Sequence, residues 1–144
     1  MMKTSFIASM LLTSMATVTH AASAPRKGNN FDKAVEHCGA FDTQADMNAC
    51  SCKLLESYDK KLDTAYSKLI ALVRSSPAVL KQVQAQEKSW VAYKRAYMEA
   101  AFPGKNKQLE YGTMYPLQRN LLEAGLVRDH LGDIQSLILA YTPR

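Results

Sequence analysis

An all-α fold is what this 144-residue chain predicts: an antiparallel three-helix bundle, with a short N-terminal helix stapled to it by a disulfide. Three observations predict it. Apolar residues recur every three or four positions in three long runs, over 47–73, 79–101 and 117–138. Pro77 and Pro103-Gly104 fall in the gaps between those runs. No strand-like alternation of apolar and polar residues is visible.

The elements follow in order. Residues 1–21 read as a signal peptide: Lys3 gives the positive start, residues 7–18 a short apolar stretch, and Thr19-His20-Ala21 a small-residue cleavage site. The stretch is too short and too polar for a membrane anchor, and no later stretch is long enough to span. Residues 22–30 read as a flexible lead-in, and residues 31–144 as a single helical domain. Residues 31–37 predict a short helix with Asn30 as its cap, broken at Gly39. Thr43 and Asp46 approximate a capping box opening a long helix. Its stripe is Met47, Cys50, Leu54, Tyr58, Leu62, Tyr66, Leu69 and Val73. Ser76 and Pro77 suit the N-cap and first turn of the next helix. Its stripe is Val79, Val83, Gln86, Trp90, Tyr93, Tyr97 and Ala101. Residues 103–112 predict a polar loop. A third helix over about 113–140 takes Pro116 in its first turn and buries Leu117, Leu121, Ala124, Val127, Leu131, Ile134 and Ile138. Gly125 and Gly132 weaken it unless they mark close helix contact.

Composition narrows the function classes. The chain carries 18 cations against 13 carboxylates, and loss of Lys3 leaves 17. The excess is mild and interleaved, which favours anionic partners slightly and speaks against nucleic acid, as export does. The location expected is the periplasm.

In that oxidising compartment Cys38 and Cys50 are the expected disulfide. Two residues on a helix separate Cys50 from Cys52 by about 200°. Cys50 shares the stripe of Met47 and Leu54, so Cys52 is the odd thiol, free or linking two chains. A soft-metal site from His37, Cys38, Cys50 and Cys52 is the competing reading, opposed by that angle. Neither His37 nor His130 neighbours a serine nucleophile, and no phosphate loop or paired-carboxylate motif exists, so no catalytic set and no cofactor are expected. Trp90, Tyr93, Lys94 and Tyr97 are the candidate ligand-facing residues, suited to a sugar; the competing reading makes the aromatics core. Asp59 lies beside the packed face, where Lys94 or Arg128 is its expected partner.

Cys38, the Met47-Asn48-Ala49-Cys50 run, Asp59, Leu62, Tyr66, the Gln86, Trp90, Lys94 spacing and Gly112-Thr113-Met114 resemble the LprI-type lysozyme-inhibitor family. The resemblance covers about residues 38–135. It implies a small exported helical protein that binds lysozyme sterically without chemistry of its own. A binding module for cell-wall fragments or anionic glycans is the alternative, and a thiol or metal protein the second. Members usually carry a second cysteine pair, whose places here fall near Met98 and Leu122, and arginines where this chain has Lys94 and His130. Net charge gives no steering toward a basic enzyme, and no acidic patch is visible along the chain.

Overall fold

The structure is a computed structural model that describes residues 30–143. The expected signal peptide and nearly all of the expected lead-in lie outside the described residues. Among the described residues the elements are helices and turns only: α1 (Asn30–Gly39), α2 (Gln44–Val73), α3 (Pro77–Ala101), α4 (Lys107–Tyr111), a 3-10 turn (Gly112–Met114) and α5 (Tyr115–Tyr141). No described helix is long and apolar enough to cross a membrane.

The local signals act as chemistry requires, with three corrections. Thr43 Oγ1 accepts from the Asp46 amide at 3.1 Å and donates to the Asp46 carboxylate at 2.6 Å. Asp46 is too short to reach back to the residue 43 amide as a glutamate would, and binds the hydroxyl instead. Ser76 is the N-cap of α3, but its side chain makes no capping bond. Asn30 begins α1 from inside the helix and does not precede it. The predicted polar loop contains α4, because Asn106 accepts the Leu109 amide at 3.0 Å and so nucleates a helical turn.

The tightest packing is α2 on α5. Leu62, Leu69 and Val73 of α2 meet Val127, Leu131, Ile134 and Ile138 of α5, with Val83 added from α3. Ser51 and Ala124 are fully buried. Both are small, which suits a close approach of the two helices. A polar bridge crosses the same seam: Asn120 Nδ2 donates to Ser51 Oγ at 3.3 Å, and Ser51 Oγ donates to the Asn48 carbonyl at 2.9 Å. Contacts from Asn48 to Thr113 and from Ser51 to Asn120 ascend together, so α2 and α5 run the same way. Glu87 meets His130 and Lys94 meets Glu123, so α3 runs against α5.

Helix α3 buries only Val83 fully. Its inner face passes through Glu87, Trp90 and Lys94. Tyr93 and Tyr97, expected on the apolar stripe, lie exposed on the outside. The stripe read from apolar residues drifts off the buried face because polar side chains occupy that face.

Cys38 and Cys50 form the disulfide, closing a loop 12 residues apart in sequence. It pins α1 to α2. Phe31 at the other end of α1 packs edge-on to Tyr58 at 5.4 Å and under Arg128 at 4.4 Å. It also lies 3.8 Å from where a Gly125 Cβ would stand, whereas Gly132 faces open space. Only Gly125 of the pair therefore marks a close helix contact.

Two measurements check this packing. Cys38→Ser should lower the unfolding free energy by about 3 kcal/mol in urea titration, and Cys52→Ser by less than about 0.5 kcal/mol. Leu69→Ala should cost about 2–5 kcal/mol, against roughly 0.5 kcal/mol for the exposed Tyr97→Ala.

Candidate functional site

Two places collect the side chains that sequence marks out. The first is the seam where α3 faces α2 and α5. The Trp90 indole stacks on the His130 imidazole, with ring centroids 4.0 Å apart and planes 9° from parallel. Lys94 Nζ lies 5.0 Å over the same indole and 3.2 Å from Glu123. Glu123 also takes Arg119 at 2.8 Å. One carboxylate thus answers two cations in a half-buried setting, where an unpaired charge would be costly. His130 is buried, and its Nε2 lies 2.9 Å from Glu87. An ionised carboxylate only accepts, so this contact places a proton on Nε2. Among the described residues, Gln86 Oε1 and His130 Nδ1 find no hydrogen-bond partner.

Asp59 belongs to this seam. Burial, set against the nearby Lys94 ammonium, raises its carboxyl above the ordinary aspartate range, and Glu123 adds to the rise. Lys94 is thus the expected partner that faces it. Arg128 is not, since it pairs with the adjacent Asp129 at 2.6 Å and lies over Phe31. Burial, followed by Glu87, likewise raises the Tyr66 hydroxyl. Lys94 and His130, where the resemblance implies arginine, both sit in this network.

The candidate ligand-facing set is thereby divided. Trp90 and Lys94 turn toward α5. Tyr93 and Tyr97 face outward, with ring centroids 5.9 Å apart.

The second place is one end of the molecule. The corner at residues 40–43, α4 and the 3-10 turn meet there, tied by Asn48 Nδ2 donating to the Thr113 carbonyl at 3.4 Å. Residues 36–48 bring three carboxylates, Glu36, Asp42 and Asp46, and no lysine or arginine. The exposed Glu110 lies in the neighbouring 102–114 segment with Lys105 and Lys107, and Lys107 answers Glu99 of α3. Exposed apolar groups stand among them: Phe41, Met114, and Leu109 at 82 % exposure. No sequence pattern announced this acidic end, because its carboxylates are scattered over 80 positions or so and only the fold assembles them.

The segment presenting Leu109 is well held. Phe102, Tyr111 and Tyr115 clamp one another at centroid distances of 5.2–5.8 Å. Lys107 reaches back to the Phe102 carbonyl and toward Glu99 at 3.9 Å. The Glu110 carboxylate crosses Gly104 so closely that a Cβ there would displace it. Gly112 turns the chain into α5 with φ of +66°, which favours glycine. Preorganisation of this kind lowers the ordering cost of binding.

The thiol and metal reading finds less here. Cys38 and Cys50 are bonded to each other, and Cys52 is exposed and free. The Cys52 thiol donates to Glu56 at 3.5 Å, and that bond raises its pKa, with smaller help from desolvation. A raised thiol pKa leaves less thiolate and less reactivity. No group of three or more histidine, cysteine or carboxylate ligands is gathered among the described residues.

In comparison with known proteins, the family model described as lysozyme inhibitor LprI matches residues 35–131, more than half of the chain. No curated protein and no solved structure matches.

Asp59 gives a pH test of the seam. A carboxyl raised in the folded state favours folding while protonated, and that contribution is lost as pH rises through its folded pKa. Asp59→Asn should therefore be more stable than the parent at pH 7, and the difference should vanish toward pH 3. Thermal melts of both proteins across that range check it.

Proposed function

Because the chain belongs to the LprI lysozyme-inhibitor family, we propose that it is an exported envelope protein that binds lysozyme and blocks it sterically, with no chemistry of its own. The family match over residues 35–131 carries this reading. The predicted signal peptide ending near Ala21 supplies the export, and the periplasm is the compartment in which a disulfide persists. The frame is the antiparallel three-helix bundle expected from the sequence, supported by the parallel pairing of α2 with α5 and the opposed pairing of α3.

The acidic end supplies the docking surface. Lysozymes of animals are basic, so carboxylates at 36, 42, 46 and 110 complement them locally although the whole chain is positive. Leu109, on a braced loop, is the apolar anchor. An anchor surrounded by a charged rim is the usual anatomy of a tight interface. Inhibition follows if this loop covers the substrate cleft.

The exposed Tyr93 and Tyr97 pair favours a second reading, a stacking platform for cell-wall glycan on the outer face of α3. In that reading Trp90 and Lys94 hold the helix in place. Cys52, exposed on α2, is available for a disulfide-linked dimer, which a non-reducing gel reads directly.

A turbidity assay of bacterial cell lysis by lysozyme tests the first reading. The purified chain should inhibit at micromolar concentration or below, more weakly as salt rises. Leu109→Ala and Asp42→Lys should each lose roughly tenfold in inhibition with unchanged melting temperature, since both positions are exposed and neither side chain braces the segment. Absence of inhibition by the parent protein sinks the proposal. Full activity of both variants removes the acidic end from it.

A further inference from the structure

A second surface lies between α2 and α5, one turn beyond the cover of α1. Phe31 of α1 ends its packing at Tyr58 and Arg128, and a groove opens from Lys60 and Leu131 onward. It encloses about 680 Å³, in the range of small-molecule sites. Its α2 wall holds Lys60, Lys61, Thr64, Ala65 and Lys68. Its α5 wall holds Leu131, Gln135, Ile138 and Leu139. Leu139 is 78 % exposed.

Chemistry divides along the two walls. All the cations stand on α2, the α5 wall is apolar save for one amide, and no carboxylate is among the lining residues. Lys61 is partly engaged, with its ammonium 4.6 Å over the Tyr58 ring. Lys60 and Lys68 are exposed and make no ion pair in the described structure. The groove runs eight residues along α2, or roughly 12 Å. That is two helical turns, short for an amphipathic helix, which binds through anchors spread over more than two turns. A second copy of this chain meeting the groove through the same face would bring lysines against lysines. An alkyl chain laid on Ala65, Leu131, Ile138 and Leu139, with an anionic head at the lysines, satisfies both walls.

We propose that this groove binds a single-chain amphiphile with a carboxylate or phosphate head. The proposal stands apart from lysozyme binding. Gln135, Ile138 and Leu139 lie beyond the matched residues 35–131, and the acidic end is at the opposite end of α2.

Titration calorimetry on the full chain tests it, with laurate and dodecyl phosphate held below their critical micelle concentrations. One equivalent of each should bind, and dodecyltrimethylammonium should bind at least tenfold more weakly. Lys60→Gln/Lys68→Gln should weaken the anions roughly tenfold, and Leu139→Gln should do the same while leaving lysozyme inhibition unchanged. Equal affinity for the ammonium amphiphile would overturn the proposal, as would variants that bind like the parent. Sedimentation with anionic vesicles in the absence of monomer binding would overturn it too, since that result reports a membrane surface and not a groove.

Discussion

Close packing of α2 against α5 is the contact on which the other features depend. Leu69, Val127 and Ile134 have no appreciable exposure there, and Ser51 and Ala124 keep the helices near each other. Every other element attaches to this pair. The disulfide and Phe31 fasten α1 across it, the 3-10 turn is tied to Asn48 on one side of it, and α3 lies along the remaining face. Burial of aliphatic surface at about 25 cal/mol per Å² supplies the drive for this pairing. The buried polar bridge from Asn120 to Ser51 to the Asn48 carbonyl adds register, because a shift of either helix would leave the amide unpaired.

Helix α3 is held by a different kind of contact. Its inner face is a row of polar and aromatic groups: Glu87 on His130, Trp90 stacked on the same imidazole, and Lys94 shared between the indole and Glu123. Directional contacts of this sort fix one geometry more than they add net stability. They also account for the place of Lys94 and His130, where the family resemblance expected arginine. A lysine makes a point contact with Glu123, and Arg119 supplies a second cation to the same carboxylate.

The frame leaves two surfaces of opposite character at separate positions along α2. Carboxylates gather near its N-terminus with Leu109, Phe41 and Met114, whereas Lys60, Lys61 and Lys68 flank an apolar floor further along. A mild positive net charge conceals this separation, because the sum over a chain says nothing about where its terms lie in space.

Much of this was legible along the chain. Helical phase chose Cys50 over Cys52 as the partner of Cys38, since only Cys50 shares the face of Met47 and Leu54. The stripe of α5, from Leu117 to Ile138, is buried nearly as read. The three long helices and the disulfide pairing are local matters, set by spacings within a few turns, so sequence alone determined them. Tertiary structure alone decided the rest. Tyr93 and Tyr97 face solvent because the buried face of α3 passes through Glu87 and Lys94, and a polar residue shows itself as buried only when its partner on another helix is known. Ser51 and His130 are buried for the same reason. The acidic end and the lysine-flanked groove each join residues 60 or more positions apart, and long-range proximity follows from how helices pack, which periodicity does not encode.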